Sequence, residues 1–142
     1  MKIWGLTGKR KQKEPTRLDF IQTDMHSHLL PGIDDGVADM AQALDTIRHL
    51  HALGYDRLIT TPHIYPDLYP NTRETILAAH QLLTAKLKEE GVDVEVHAAA
   101  EYFIDDQFAD RLRNDEPLLT LHKNYVLVEI SFMQAPPDLK HI

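Results

Sequence analysis

The feature that most constrains the fold of this chain is a regular alternation of short apolar runs with longer segments of helical periodicity. Four apolar runs follow one another from Leu18 onward, and three periodic segments separate them. In the first of these segments, Met40, Leu44 and Ile47 recur every three or four residues. Short strands that alternate with helices are typical of a parallel sheet with crossover helices, so the sequence predicts one α/β domain.

The predicted elements are four strands separated by three helices, with a further helix starting near Pro136-Pro137. Four strands are about half of a closed eight-stranded (β/α) barrel, whose usual size is roughly 250 residues. We therefore expect about four βα units of a barrel, with the C-terminal half absent. The predicted strands are 20–28, 57–63, 92–101 and 125–130. The first predicted helix is 39–53. The second runs from the capping pair Asn71 and Glu74 to about Glu90, and the third ends near Asn114.

Composition excludes several classes of function. The chain has no cysteine, which excludes disulfides, thiolate zinc sites and catalytic thiolates. The net charge is −7 although residues 1–17 hold six bases and one acid, so the rest of the chain is strongly acidic and should not bind nucleic acid. No apolar run is long enough for a signal peptide or a membrane span, so we expect a cytoplasmic protein.

The basic N-terminal segment, residues 1–17, is predicted to precede a single domain over residues 18–142. Trp4 and Leu6 lie beside the basic cluster of Lys9 to Lys13. Apolar anchors next to basic residues could contact an anionic membrane surface weakly. The simpler interpretation, a flexible solvated tail, is the one we favour.

Side chains that can bind metal follow every predicted strand. His26 and His28 are two residues apart on the first strand, so both rings project from one face and can share an ion. Ligands of parallel α/β folds bind beyond the carboxyl ends of the strands, so these side chains should converge. The candidate ligands are His26, His28, Asp35, His63, Glu101 and Glu129.

Each candidate also has a purely structural interpretation. Asp35 could cap a turn, His63 could be an ordinary loop residue, and Glu129 could be a charge on an edge strand. Such unrelated roles would not be expected to put a metal-type ligand at all four strand ends, so the joint pattern favours a multinuclear hydrolytic centre with Zn, Mn or Fe. For the remaining histidines we expect structural roles; they are His49, His51, His80, His97, His122 and His141.

The segment His26-Ser-His-Leu-Leu-Pro-Gly-Ile-Asp-Asp-Gly36, followed by Thr60-Thr-Pro-His63, resembles the PHP (polymerase and histidinol phosphatase) superfamily. The His-x-His-x-x-Pro-Gly-x-Asp-Asp-Gly string is similar to that of the bacterial manganese-dependent tyrosine-protein phosphatases of capsule and exopolysaccharide synthesis. The resemblance runs from about residue 19 to 140. It implies a PHP-type partial barrel that hydrolyses phosphotyrosine in proteins, with a tyrosine kinase of polysaccharide synthesis as its protein partner.

The resemblance also implies a set of up to three divalent ions, manganese first, with iron or zinc as alternatives. Such ions would lower the pKa of a bridging water to about 7 and supply hydroxide for in-line attack on phosphorus. No protein nucleophile is then required, which agrees with the absence of cysteine. Residue by residue, His26 and His28 would bind the first ion, Glu101 would bridge the first and second, Glu129 would bind the second, and Asp35 and His63 would hold the third.

Two family motifs, a His-Pro-Glu-Arg string and a late Asp-x-His, are not found in the sequence. We therefore expect that this chain corresponds to the N-terminal half of the domain and has impaired activity. The alternatives are an inactive remnant that binds metal or self-associates, and a different PHP phosphoesterase acting on histidinol phosphate or nucleic acid. The free edge of the fourth predicted strand, residues 125–130, should promote self-association.

Overall fold

The computed structural model describes residues 20–131, and the predicted tail 1–17 and the predicted helix near Pro136-Pro137 lie outside this part of the chain. Strands and helices follow the predicted alternation. The elements are β1 (Thr23–Ser27), α1 (Met40–Leu53), β2 (Arg57–Thr60), β3 (His63–Ile64), α2 (Arg73–Glu89), β4 (Glu95–Ala98), β5 (Glu101–Phe103), α3 (Asp106–Arg113) and β6 (Leu127–Glu129).

All named strands pair in parallel, as predicted for an α/β fold. They form two three-stranded sheets, with the orders β1-β2-β4 and β3-β5-β6. Among residues 20–131 the sheets do not close into a barrel. The described fold is therefore a small parallel α/β arrangement.

The prediction of four uninterrupted strands was wrong for the second and third strands. Each divides into two short strands, with breaks at residues 61–62 and 99–100. Pro62 has no N–H to donate to a ladder, and backbone bonds bridge the breaks: the Ala99 N–H donates to the Thr60 carbonyl (2.8 Å) and the Glu101 N–H to the Pro62 carbonyl (3.0 Å). The hydrogen-bonded pairing of the first sheet thus continues into the second.

Helix ends were predicted well for α1 and less well for α2. The Asp39 side chain accepts a hydrogen bond from the Gln42 N–H at the start of α1, and Gly54 ends it with a φ of 109°. The predicted capping pair of α2, Asn71 and Glu74, was wrong. Thr72 and Thr75 form that reciprocal capping box instead, because the Asn71 amide is used elsewhere.

The core lies between the helices and one face of the first sheet. Ile47 of α1, Leu58 of β2 and Leu83 of α2 are fully buried there. The opposite face of the sheet is open and lines a cavity of about 490 Å³, with Met25 and Arg57 among its walls. Within residues 20–131, no helix has the length and hydropathy needed to cross a membrane.

The neighbouring leucines of α2 provide a matched test of this packing. We predict that Leu83→Ala lowers the free energy of unfolding by about 2–5 kcal/mol, because it leaves a cavity in the core. Leu82→Ala, on the same helix but 68% exposed, should change it by less than about 0.5 kcal/mol. Urea denaturation followed by circular dichroism measures both values, and equal losses would contradict the assignment of the buried face.

Candidate metal centre

Two buried threonines hold the carboxyl end of β1, which carries His26 and His28. The Thr60 hydroxyl donates to the Ser27 carbonyl (3.1 Å) and accepts from the Leu29 N–H (3.0 Å). The Thr61 N–H donates to the same Ser27 carbonyl at 2.7 Å. The register of β1 against β2 shifts between Asp24 and Ser27. The three hydrogen bonds from Thr60 and Thr61 hold the backbone beside this shift, and that backbone carries both histidines.

The first group of ligand atoms joins the two histidines of β1 to the first residue of β5. His28 Nε2 lies 3.5 Å and His26 Nε2 3.9 Å from Glu101 Oε2. His26 Nδ1 is 2.7 Å from the Thr61 hydroxyl oxygen, so its other ring nitrogen is directed toward the carboxylate. One ligand atom from each of His26, His28 and Glu101 lies within 4.8 Å of the others, which a single metal ion can span.

Two more groups overlap with the first. His63 Nδ1 lies 3.4 Å from both Glu101 Oε2 and Glu129 Oε2, and its Nε2 lies 3.4 Å from Asp35 Oδ1. Parallel pairing accounts for this, since His63 is opposite Glu101 in the register of β3 and β5. The resulting groups are His63, Glu101 and Glu129, and His28, Asp35 and His63. The structure therefore brings all six sequence-predicted residues into one cluster.

A seventh residue, Asp34, lies behind the cluster and was not among the predicted ligands. Its side chain is fully buried. It accepts hydrogen bonds from His28 Nδ1 (2.8 Å), the Gly36 N–H (3.0 Å) and the His63 N–H (3.2 Å). Burial alone would raise the pKa of Asp34, but the bonds from His28 and the two backbone groups hold that pKa below its ordinary value. The same hydrogen bond raises the pKa of His28.

The loop that supplies Asp34 and Asp35 is packed tightly against β1. A Cβ atom on Gly36 would lie 2.3 Å from the His28 carbonyl oxygen and 2.4 Å from the His28 Cβ, so only glycine allows this approach. From the other side, the Asn71 amide donates to the carbonyls of Ile33 (2.8 Å) and His63 (2.9 Å). Asn71 thus links the loop to β3. Its side chain is held in this position, and Thr72 caps α2 instead.

Sequence patterns alone did not identify these supporting residues. Asp34 precedes the predicted ligand Asp35, and Thr61 lies two residues before the predicted ligand His63. Nothing in the sequence shows that the Asp34 side chain is buried while that of Asp35 is exposed. Tyr69, whose ring stacks on His63 at 5.2 Å, gave no signal either. None of the other histidines within residues 20–131 belongs to a group of ligand atoms at metal-binding spacing; His80, for example, bonds the Val96 carbonyl.

The donor set fits divalent transition metals. Imidazole nitrogen and carboxylate oxygen together suit Mn, Fe or Zn, and the buried carboxylate behind His28 is the kind of partner that orients a metal-binding imidazole. With Asp35, Glu101 and Glu129 close together, like charges repel unless cations compensate them. The cluster is therefore a candidate metal centre by composition and by geometry.

This chain is similar to proteins named as tyrosine-protein phosphatases. The relative named Tyrosine-protein phosphatase YwqE, from Bacillus subtilis (strain 168), is 28% identical over 113 residues, which are 80% of this chain and 44% of the relative. CapC from Staphylococcus aureus is 22% identical over the same shares of the two chains. This chain spans slightly less than half the length of these relatives.

A solved structure is similar as well. It comes from the crystal structures of YwqE from Bacillus subtilis and CpsB from Streptococcus pneumoniae, described as unique metal-dependent tyrosine phosphatases. The match has a TM-score of 0.74 and 28% identity, and it covers 84% of this chain and 48% of the other. Residues 22–141 match the family described as capsular polysaccharide synthesis, CpsB/CapC, and this chain therefore belongs to that family.

Proposed function

We propose that this chain contributes to a metal-dependent phosphatase that removes phosphate from tyrosine in proteins of capsule or exopolysaccharide synthesis. The observation that carries the proposal is the convergence of six metal-type side chains from four separate segments into overlapping groups within 4.8 Å. The names of its relatives, a tyrosine-protein phosphatase and a set of metal-dependent tyrosine phosphatases, support the same reaction. A tyrosine kinase of polysaccharide synthesis in the cytoplasm is the substrate we propose.

The proposal includes the architecture around the site. We infer that the two parallel sheets are consecutive parts of the wall of a PHP-type (β/α) barrel. The continuation of the hydrogen-bonded pairing across both strand breaks supports this, as does the position of His28, His63 and Glu101 beyond the carboxyl ends of β1, β2 and β4. In a (β/α) barrel that end carries the active site.

The same residues define how the ions would be held. His26, His28 and Glu101 would bind one ion, Glu101 and Glu129 a second, and Asp35 and His63 a third, with manganese as the ion we propose and iron or zinc as chemically acceptable alternatives. Bound divalent ions would supply Lewis acidity and a water-derived nucleophile at neutral pH.

The protein's own groups position the metal-binding imidazole rings and provide the negative charge that bound cations would balance. A phosphomonoester dianion would be repelled by Glu101, Glu129 and Asp35, so substrate can approach only when these carboxylates are neutralised by bound cations. Thr61 holds the ring of His26, and Asp34 holds that of His28. This chain supplies no thiolate nucleophile, because it has no cysteine.

Metal binding without turnover is the second candidate function. The observation that favours it is that all six candidate ligands come together within residues 20–131, which accounts for metal binding and does not require turnover. The two candidates make the same prediction for metal content and opposite predictions for hydrolysis of a phosphotyrosine peptide.

Metal content is the first test. We predict that the purified chain, loaded with Mn²⁺ and desalted, retains at least one ion per molecule, and that the double variant His26→Ala, His28→Ala loses most of it. The matched control is His49→Ala, His51→Ala, which removes two exposed histidines with the same spacing from α1. Elemental analysis measures all three proteins, and full retention in the first variant would show that the wrong histidines have been assigned.

Activity is the second test. We predict that hydrolysis of a phosphotyrosine peptide is abolished by chelation, and that Glu101→Gln lowers kcat/KM at least tenfold, since losing a group that only hydrogen-bonds a metal ligand typically costs about 10–100-fold. The control Glu89→Gln makes the same chemical change on the exposed surface of α2, and His49→Ala is a second control. Metal binding without hydrolysis by the unmodified chain would favour the second candidate function.

Self-association is a further proposal. Among the described residues, β6 pairs with β5 on one side, and Val128 on β6 is 41% exposed; such an edge can pair with a second copy. We predict that light scattering after size exclusion gives a mass above the 16.3 kDa of one chain, and that Val128→Lys lowers it. Leu112→Lys on α3, of similar exposure, should not. A compact, cooperatively melting monomer would refute this proposal.

A further inference from the structure

We propose that Asp34 is a positioning residue that determines which ring nitrogen of His28 faces the metal centre, and thereby which of two overlapping ligand groups His28 serves. The inference rests on the proposed metal-dependent function and deepens it. Asp34 is assigned no contact with metal or substrate. Its effect is exerted through His28 and the loop that carries Asp35.

The ligand groups overlap at His28, so it must be decided which group the His28 ring serves. His28 belongs to the group with His26 and Glu101, and equally to the group with Asp35 and His63. Different ring nitrogens approach the carboxylates of the two groups: His28 Nε2 is 3.5 Å from Glu101 Oε2, whereas His28 Nδ1 is 3.6 Å from Asp35 Oδ1. A neutral imidazole has one protonated nitrogen and one lone pair, so it can serve only one of the two groups at a time.

Asp34 resolves this overlap. Its Oδ2 is 2.8 Å from His28 Nδ1, closer than any other carboxylate oxygen recorded near that nitrogen, and its side chain is fully buried. A buried carboxylate needs hydrogen-bond donors, and a neutral ring can supply one only by carrying its proton on Nδ1. The lone pair is then on Nε2, which assigns His28 to His26 and Glu101 and leaves Asp35 and His63 as a separate pair.

The surroundings of Asp34 hold the carboxylate in this orientation. Its two oxygens also accept from the Gly36 N–H (3.0 Å) and the His63 N–H (3.2 Å). Through the second bond, one side chain connects the loop after β1 to the start of β3. Adjacent aspartates therefore differ in role because of burial: Asp35 is 59% exposed and directed at the cluster, whereas Asp34 is enclosed behind it.

Nuclear magnetic resonance tests the inference without metal. In the metal-free 142-residue chain, at a pH at which the His28 ring is neutral, ¹⁵N chemical shifts and two-bond couplings of the imidazole rings should show His28 protonated on Nδ1 and unprotonated on Nε2. Asp34→Asn should reduce the population of this tautomer, while Asp35→Asn should leave it unchanged. His28 protonated on Nε2 in the unmodified chain would overturn the inference, even if no variant could be purified.

Metal affinity provides the second readout. Titration with Mn²⁺, followed by the electron paramagnetic resonance of the free ion, should show a Kd about 10–100-fold higher for Asp34→Asn than for the unmodified chain. The surface control Asp67→Asn should have an unchanged Kd. Circular dichroism on each variant establishes that the fold is retained before the comparison is made.

The outcomes separate this inference from the proposed function. If the unmodified chain binds no Mn²⁺, the proposed function fails while the tautomer measurement still decides the role of Asp34. If the unmodified chain binds Mn²⁺ and a folded Asp34→Asn binds it equally well with the same His28 tautomer, the proposed function stands and the role of Asp34 is refuted. The inference is supported if Asp34→Asn loses both the Nδ1-protonated tautomer of His28 and the affinity for Mn²⁺ while the control variants keep them.

Discussion

The arrangement depends above all on the parallel pairing that continues across two interrupted strands. If the breaks at residues 61–62 and 99–100 ended the pairing, His63 and Glu101 would belong to unrelated loops. The bonds from Ala99 to Thr60 and from Glu101 to Pro62 keep the two chain segments in step. The strands are therefore interrupted and still place the imidazole of His63 opposite the carboxylate of Glu101.

The elements that sequence analysis predicted well are those set by local chemistry. Asp39 and Gly54 delimit α1 because a capping carboxylate and a residue with positive φ act on their own neighbours. Convergence of the ligands also followed from sequence, because strand ends in a parallel sheet meet at one edge. The prediction of the family from His26 to Gly36 and from Thr60 to His63 is confirmed.

The features that the sequence did not reveal depend on tertiary contacts. Asn71 and Thr72 are both good capping residues, and only the carbonyls of Ile33 and His63, distant in sequence, determine that Asn71 has another use. Asp34 and Asp35 likewise differ in burial, and the sequence of two adjacent aspartates does not show which one is buried. Strand breaks were missed for a related reason, because apolar runs through residues 57–63 and 92–101 indicate that these segments are buried but not where the strands are interrupted.

The wide spacing of the cluster along the chain has a thermodynamic consequence. Its members extend from His26 to Glu129, so they are near one another only after both sheets have formed, and an unfolded chain offers a cation no comparable site. An ion that binds the native state alone shifts the unfolding equilibrium by RT ln(1 + [L]/Kd), about 2.7 kcal/mol at a hundredfold excess over Kd. The strands of this fold are short, and carboxylates that repel one another lie at the centre of the cluster. The supply of metal would therefore regulate the folded fraction of the protein as well as the activity of the site.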